Sequence, residues 1–453
     1  MLADPRLAST PATAGLPGGG TAVQRSYRYD RAFNPVQVND DRWGTTRYRY
    51  DANSQVIAAH VDGTPGQAPL EEGFHYDGAQ NLIARIRSKL PGVERQDLRQ
   101  QAGRVVQRGR DRYRYDKLGR LVEKTVHVDG FRPQHWRYRW DGEDRLAECV
   151  TPQGERWRYA YDGLGRRVRK FKVIAGGAAA TPVPPAGQDL DTSVLRASAP
   201  ERIIAPGRGP SGGGGATAVV GEEYLWAGDQ LIEAAPIYAD GTVAYDRAVR
   251  WAYAPGAVTP LAQQRGDRLW YVVTDQVGTP RELLDEAGEL AWSNSPRLWG
   301  QQRLWRHLTA ANDDAVDCPL RFPGQYYDEE SGLHYNRHRY YDPETAQYLT
   351  PDPLGLGGGI RPQGYVGSPN LLIDPLGLAA CAVFDQRLNR GRGGWRDPKT
   401  GGIVSRVTSA RARQHQCSKT MLAITLALLI GTSTRLLEGM EHTLLTNGQW
   451  LIF

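Results

Sequence analysis

The sequence contains little cysteine and lacks several signatures of common enzyme classes. Its four cysteines lie far apart among 453 residues and include no C-x-x-C pair, so they predict neither a zinc site nor a disulfide framework. No P-loop is present, and the glycine run at 211–215 lacks the strand-to-helix context that phosphate binding needs. His334 and His338 are four residues apart, but in a strand-like run such side chains are well separated. We therefore predict no metal and no cofactor.

An excess of charge of one sign is also missing. The net charge of +6 comes mostly from arginines interleaved with tyrosine and tryptophan. Such interleaving can indicate nucleic-acid binding. Here it recurs at repeat spacing, which is more typical of the alternating faces of β-strands. With 40% apolar residues the chain can bury a sizeable core, and its length predicts two to four domains.

A short aromatic motif repeats through the first part of the chain. The pattern Y/F/W-x-Y/W-D occurs six times, mostly 21 to 26 residues apart, and ends at Asp30, Asp51, Asp77, Asp116, Asp141 and Asp162. Each Asp precedes a short turn and a second run in which aromatic or β-branched residues alternate with charged ones. A period of two predicts β-hairpins with one buried face, and such hairpins must stack on their neighbours to be stable. We therefore predict an all-β fold.

Changes in composition divide the chain into six parts. Residues 175–220 are rich in alanine, glycine and proline, which predicts a mobile insertion. The six predicted parts are a disordered N terminus (1–24), the repeats (25–174), the insertion (175–220), further strands (221–320), a tyrosine-rich core segment (321–378) and an unrelated tail (379–453).

The core segment ends in a motif that suggests peptide-bond cleavage. The pattern is P-x-x-x-x-D-P-x-G-L, and its defining residues are Pro369, Asp374, Pro375, Gly377 and Leu378. A shorter copy, D-P-L-G-L, begins at Asp352, but Gln347 stands where the second copy has proline, so it predicts no second cut. Two carboxylates a few ångströms apart can share one proton and hydrolyse a peptide bond without a metal. Asp352 and Asp374 are the candidate pair.

Several segments resemble Rhs proteins. They are the Tyr-Asp repeats, residues 275–283 (DQVGTPREL) and residues 321–343, which match the Rhs repeat-associated core almost residue for residue. The resemblance covers residues 25–378 apart from the insertion. It implies a β-sheet of spiralling hairpins that forms a shell around a C-terminal toxin, with the core segment as a plug. Complete shells in this family carry many more repeats, so we expect a fragment of a shell.

The resemblance also implies the roles of the candidate site residues. It places self-cleavage at the Leu378–Ala379 bond, with Asp352 and Asp374 carrying the reaction. Arg339 is expected to hold a carboxylate or the scissile carbonyl, a role that suits the planar fork of a guanidinium. The alternatives are a strand-face arginine stacked on tyrosine for Arg339 and turn capping for the two aspartates.

The tail changes character along its length. Residues 381–419 are arginine-rich, whereas residues 420–434 carry no charge. As a helix, these uncharged residues would reach about 22 Å, short of the roughly 30 Å hydrocarbon core. We therefore expect a separate segment of partly α character, either buried or inserted into a membrane. Membrane action is the favoured hypothesis for the tail, nuclease activity is an alternative, and an inactive remnant is a third.

The resemblance further predicts partners and location. It implies a toxin used in competition between bacteria, whose tail lies inside the shell and is opposed by a cognate immunity protein. The first 20 residues show no signal peptide, so we expect synthesis in the bacterial cytoplasm and export by a dedicated machine such as type VI secretion, or surface delivery, with a delivery protein as partner. The alternative class is a non-catalytic surface protein whose repeats bind carbohydrate or another protein.

Overall fold

The computed structural model describes residues 23–62, 69–88, 92–174, 218–302, 305–307 and 316–382. Within these ranges the chain is almost entirely β-strand, and its helical segments are two short 3₁₀ helices, Tyr245–Arg247 and Gly355–Gly358. None of the helices in this part of the chain could span a lipid bilayer. The all-β prediction is confirmed, whereas the predicted disordered terminus, most of the insertion and the uncharged segment of the tail lie outside the described residues.

The first 22 strands form one continuous sheet. They are Arg25–Tyr29 (β1), Pro35–Asp40 (β2), Gly44–Tyr50 (β3), Val56–Val61 (β4), Leu70–Tyr76 (β5), Leu82–Ser88 (β6), Val93–Gln101 (β7), Arg104–Arg108 (β8), Asp111–Tyr115 (β9), Leu121–Val126 (β10), Gln134–Trp140 (β11), Leu146–Val150 (β12), Arg156–Tyr161 (β13), Arg167–Lys172 (β14), Val219–Ala227 (β15), Gln230–Tyr238 (β16), Val249–Tyr253 (β17), Pro260–Arg265 (β18), Arg268–Thr274 (β19), Pro280–Leu284 (β20), Leu290–Asn294 (β21) and Trp305–His307 (β22). Each strand pairs antiparallel with the next one along the chain. The sheet is therefore a single long meander.

The aspartate of each repeat builds the turn that follows it. In the Asp116 turn, one carboxylate oxygen accepts the backbone N–H groups of Leu118 and Arg120 at 2.9 and 3.0 Å, and the other accepts the Arg120 guanidinium at 2.7 Å. The same pair of backbone bonds, to the second and fourth residues after the aspartate, forms in all six repeat turns. The aspartate thus satisfies turn amides that no strand partner could reach.

In the second to sixth repeats, the aromatic residue before the aspartate connects its hairpin to an earlier one. The Tyr50 hydroxyl donates to the carbonyl of Pro35 at 2.9 Å, and the Tyr76 hydroxyl donates to that of Val56 at 2.9 Å. Tyr115 and Tyr161 make equivalent bonds, and Trp140 does so with its indole N–H. The motif therefore fixes both a turn and the register between hairpins.

Six further strands follow in residues 316–382, which we call the plug. They are Tyr326–Asp328 (β23), Leu333–Asn336 (β24), Arg339–Asp342 (β25) and Gln347–Tyr348 (β26), which form a four-stranded sheet, and the paired Leu372–Ile373 (β27) and Cys381–Ala382 (β28). The four-stranded sheet is buried along almost its whole length. It therefore packs as an interior element.

The long sheet curves around the plug. Side-chain or backbone hydrogen bonds reach the plug from strands far apart in the sheet, namely from Tyr50 in β3, Arg85 in β6, Val105 in β8, Lys124 in β10, Arg167 in β14 and Gln263 in β18. Neighbouring strands are about 4.8 Å apart. In a flat sheet, strands from β3 to β18 would be too far apart for all of them to contact the plug, so the sheet must be curved.

A buried ion cluster forms the centre of this interface. The Arg167 guanidinium binds both carboxylate oxygens of Asp328, and the Lys170 ammonium lies 3.0 Å from Asp328 Oδ1. The rings of Tyr224 and Tyr335 lie 4.7 and 4.3 Å from the guanidinium carbon. Burial alone would raise the pKa of Asp328, but the charges of Arg167 and Lys170 outweigh it and lower that pKa. The ionised cluster joins β14 to β23.

Side chains near the two ends of the sheet contact each other. Arg25 in β1 pairs with Glu282 in β20, and the Trp43 indole donates to the same carboxylate at 2.7 Å. Arg297, after β21, lies 2.8 Å from Glu72 in β5. We call these five residues the seam. These contacts show that the sheet is curved tightly enough to bring strands near its two ends together.

Candidate self-cleavage site

The second D-P-L-G-L copy forms a tight buried turn directly after β27. The Leu378 N–H donates to Asp374 Oδ1 at 2.9 Å, which closes the turn. Gly377 has φ +71°, and a Cβ atom there would lie only 2.5 Å from the Asn336 carbonyl oxygen. The Pro375 carbonyl packs so closely on Gly324 that no side chain fits at that glycine either. Close packing therefore requires glycine at Gly377 in the motif and at Gly324 beside it.

The Leu378–Ala379 bond lies where the chain leaves the buried interior. Leu378 is 2% exposed, whereas Ala379 is half-buried and the next residue is exposed. Beyond the bond the chain turns back, and Cys381 in β28 pairs with Ile373 in β27. Cys381 is disulfide-bonded, a single bridge that the sequence, which indicates no disulfide framework, did not predict. The bond is thus held on both sides.

Arg339 connects the elements of the site. It begins β25 and is almost completely buried. Its Nη2 lies 2.8 Å from Asp352 Oδ2, 3.4 Å from Asp374 Oδ2 and 3.5 Å from the Leu378 carbonyl oxygen, while its Nε donates to the Gly377 carbonyl. One guanidinium therefore contacts both predicted carboxylates and the carbonyl of the predicted scissile bond.

Asp352 is held differently from Asp374. Its Oδ1 accepts the Leu354 N–H at 2.9 Å, and the Gly358 backbone packs directly against its carboxylate. Burial raises the pKa of Asp352, the Arg339 charge opposes that rise, and the nearby Asp374 adds to it. The leucine that ends this first copy, Leu356, is 83% exposed, in contrast to Leu378.

Two residues that sequence reasoning missed complete the site. The Tyr348 hydroxyl donates to Asp374 Oδ2 at 2.8 Å, and the Arg339 guanidinium lies over the Tyr348 ring, 3.8 Å from its centre. Asn336 Nδ2 donates to the Tyr348 hydroxyl at 2.7 Å and to the Asp374 carbonyl at 2.8 Å. Burial, together with the negative charge of Asp374, raises the pKa of Tyr348 well above its usual value. Both residues lie in the tyrosine-rich stretch, but no motif distinguishes them from their neighbours.

Two other residues considered from the sequence, Pro369 and His334, lie outside this cluster. Pro369 lines a cavity of about 80 Å³ together with Arg25 and Asp275, near the seam. His334 is buried with Nδ1 2.8 Å from Gln325 Oε1, and burial lowers its pKa well below the usual range. In the part of the chain that the structure describes, no group of three or more His, Cys, Asp or Glu side chains could bind a metal ion.

The arrangement has the elements of a peptide-bond hydrolase that acts on its own chain. Two carboxylates share one guanidinium nitrogen, and the same nitrogen points at a backbone carbonyl oxygen. A guanidinium there can stabilise negative charge that develops on the carbonyl oxygen. Carboxylates so close together can bind one proton between them.

Comparisons with known proteins agree on the family and the fold. A family model described as RHS protein matches residues 269–304, and one described as Teneurin YD-shell matches residues 29–176. "Probable deoxyribonuclease RhsB" of Dickeya dadantii (strain 3937) is 34% identical over 366 residues, which cover 80% of this chain and 21% of the relative. "Toxin protein Tse5" of Pseudomonas aeruginosa is 32% identical over 395 residues, covering 80% of this chain and 27% of the relative.

A third relative and one solved structure extend these matches. "Double-stranded DNA deaminase toxin A" of Burkholderia cenocepacia (strain H111) is 30% identical over 377 residues, covering 80% of this chain and 23% of the relative. The crystal structure of TcdB2-TccC3-TEV superposes with a TM-score of 0.55 at 16% identity, covering 79% of this chain and 17% of that chain, and so shares the fold. The chain spans about a fifth of the length of the first curated relatives it matches.

Proposed function

The chain belongs to the Rhs family, and from that premise we propose that it is part of a toxin shell that cleaves itself after Leu378 and separates residues 379–453 from the shell. The relatives are named as toxins or as nucleases. The observation that carries the proposal is the position of Arg339, whose Nη2 contacts Asp352, Asp374 and the Leu378 carbonyl oxygen at 2.8, 3.4 and 3.5 Å.

The proposed step is hydrolysis of one peptide bond. A water oxygen adds to the Leu378 carbonyl carbon as one carboxylate of the pair takes a proton from that water. Arg339 stabilises the negative oxygen that forms. As the C–N bond breaks, the other carboxyl group gives its proton to the Ala379 nitrogen. The products are a carboxyl group on Leu378 and an amine on Ala379, with no other reactant than water.

Intact mass of the purified protein tests the cleavage. Expressed in bacteria, the parent chain should yield a large piece ending at Leu378 and a small tail. Asp352→Asn and Asp374→Asn should each leave the chain intact, because an amide cannot exchange the required proton. Asp285→Asn is the matched control, since Asp285 accepts two turn amides after β20 in the long sheet, and that variant should cleave normally. Cleavage in both site variants would disprove the aspartyl mechanism, and an uncut parent would favour the binding-protein alternative.

The fate of the tail forms the second part of the proposal. We propose that the tail lies within the shell, that a cognate immunity protein opposes it, and that a dedicated secretion machine carries the assembly out of a bacterial cytoplasm. Membrane action is preferred because residues 420–434 are uncharged beside an arginine-rich flank. Producing residues 379–453 in bacteria while recording membrane potential and nucleic-acid integrity separates the alternatives. Degraded nucleic acid with polarised membranes would favour a nuclease, and normal growth would favour a remnant.

A further inference from the structure

We infer that Asn336 and Tyr348 are positioning residues that fix the protonation of the carboxylate pair, so that Asp374 is the ionised partner and Asp352 carries the proton. The inference rests on the proposed self-cleavage, because it assigns roles within that site. It would make Asp374 the group that takes the water proton and Asp352 the group that protonates the leaving amine.

The argument begins at a backbone carbonyl, which can only accept hydrogen bonds. Asn336 lies 2.8 Å from the Asp374 carbonyl oxygen, so the atom that faces it must be the amide nitrogen. The same nitrogen lies 2.7 Å from the Tyr348 hydroxyl oxygen and therefore donates to it. The orientation of Asn336 is thus fixed by its surroundings.

The orientation of Asn336 determines the direction of the next hydrogen bond. A tyrosine hydroxyl has one proton, and because Asn336 donates to its oxygen, that proton is free for another acceptor. Asp374 Oδ2 lies 2.8 Å away. The Tyr348 ring cannot turn aside easily, because it is fully buried and the Arg339 guanidinium lies over it. The relay therefore runs from Asn336 through Tyr348 to Asp374.

The two carboxylates differ in the donors that they receive. Both contact Arg339, which is nearer to Asp352. Each also accepts one backbone N–H, from Leu354 to Asp352 and from Leu378 to Asp374. Within the described residues, only Asp374 receives a hydroxyl in addition. A hydrogen bond from a donor stabilises the ionised form of a carboxylate. The balance of burial and charge raises the pKa of Asp352 in spite of Arg339, which supports the same assignment.

The first test compares two tyrosines that face each other across neighbouring strands. Tyr348→Phe keeps the ring under Arg339 but removes the hydroxyl. Tyr341→Phe is the matched control, because Tyr341 pairs with Tyr348 in β25 and β26 and its buried hydroxyl donates to the Trp299 carbonyl. Each variant is made as the full chain by cell-free synthesis, and cleavage is followed over time in buffers of different pH after synthesis is stopped.

We expect Tyr348→Phe to slow cleavage about tenfold, the factor for one hydrogen bond to a charged group. The acid limb of its pH–rate profile should also move to higher pH, because the base must be ionised to act and the charged form of Asp374 loses one hydrogen-bond donor. Asn336→Ala should shift the acid limb in the same direction but by less. Without Asn336 the Tyr348 hydroxyl can rotate, so it still donates to Asp374 but for only part of the time. Tyr341→Phe should leave the limb in place. If the acid limb of Tyr348→Phe stayed where it is in the parent, the inference would be overturned, whatever the cleavage rate. Any slower cleavage would then be an effect of packing alone.

A second measurement does not require cleavage. In the Asp352→Asn background the chain stays intact, and Asp374 can be titrated by NMR of aspartate labelled with ¹³C at the carboxyl carbon, with the signal assigned by Asp374→Asn. Adding Tyr348→Phe should move the Asp374 titration to higher pH. Equal titration with and without the hydroxyl would overturn the inference, even if the parent chain cleaves. A shifted titration in a chain whose parent never cleaves would instead support the relay and reject the proposed function.

Discussion

Gly355 and Gly377 occupy the same place in two copies of D-P-L-G-L, yet their surroundings differ. Both have positive φ, at +56° and +71°. A Cβ atom on Gly355 would meet no other atom within 4 Å, whereas one on Gly377 would lie 2.5 Å from the Asn336 carbonyl oxygen and 3.3 Å from the Arg339 nitrogen. The same letters therefore specify an open turn in one place and a turn pressed against the site in the other.

The two glycines allow a matched prediction. Alanine at either position has a strained backbone, which costs about 1–2 kcal/mol. Gly377→Ala should in addition push the turn away from Arg339 and slow cleavage more than tenfold, because a displacement of about 1 Å can reduce a rate about 100-fold. Gly355→Ala should cleave like the parent. Cleaved fraction by mass and thermal midpoint are the two measurements, and equal cleavage in both variants would show that the close packing at Gly377 is not needed for the reaction.

The site was predictable from the sequence only in part. The repeated D-P pattern indicated Asp352 and Asp374, and the resemblance indicated Arg339; the structure brings all three together. Tyr348 and Asn336 could not be found in this way, because the stretch from 326 to 348 contains many tyrosines and their roles depend on which side chain meets Asp374 in space. The spacing of residues along the chain does not show which tyrosine contacts Asp374.

At the scale of a hairpin, the repeat motif joins three interactions in four residues. In Y-R-Y-D at 113–116, the Tyr115 hydroxyl donates to the Val105 carbonyl at 3.0 Å and Asp116 caps the turn. Tyr113 is also buried, but within the described residues its hydroxyl has no hydrogen-bond partner. The second tyrosine thus fixes register, whereas the first contributes mainly apolar surface.

This difference predicts unequal effects of the same chemical change. Tyr115→Phe should lower the free energy of unfolding by about 1 kcal/mol, because the Val105 carbonyl loses its hydroxyl donor. Tyr113→Phe should be nearly neutral, since it removes a hydroxyl that is already unpaired. Urea denaturation followed by tryptophan fluorescence measures both. If Tyr113→Phe destabilised the chain as much as Tyr115→Phe, the hydroxyl bonds between hairpins would not be what fixes their register.

The hairpins were predicted well because alternation and turn residues are local signals. Gly119 indicated the turn after Asp116, and it has φ +81° as such a turn requires. The corresponding third residue after the aspartate also has positive φ where it is Phe33, Ser54 or Gln80. Glycine alone therefore does not identify every one of these turns. The hydrogen bonds to the aspartate hold the turn strongly enough to impose a positive φ on other residues as well.

At the scale of the whole molecule, the plug and the long sheet depend on each other. Side chains of the sheet are buried against the plug, as Arg167 is against Asp328. The plug hydrogen-bonds to strands from β3 to β18, so it sets the curvature that brings the ends of the sheet together. The sequence could not show this closure, because it depends on contacts between residues more than 200 positions apart, such as Arg25 and Glu282.

Closure at the seam can be tested by removing its central carboxylate. Glu282 is fully buried and accepts hydrogen bonds from Arg25 and Trp43. Breaking a buried pair by removing one partner costs about 3–5 kcal/mol, and we expect the lower end for Glu282→Ala because Asp40 still neutralises Arg25. Hydrogen exchange should accelerate in β1 to β3, since these strands lose their contact with β20.

The matched control for the seam is an ion pair on the outer surface of the same sheet. Glu223 pairs with the half-exposed Arg169 across β14 and β15, and Glu223→Ala should cost no more than about 1 kcal/mol. Urea denaturation of both variants in the uncleaved Asp352→Asn background gives the comparison. If the two glutamate variants unfolded at the same urea concentration with unchanged exchange in β1, the ends of the sheet would be held by the plug alone. The seam would then be a contact that follows from the curvature without stabilising it.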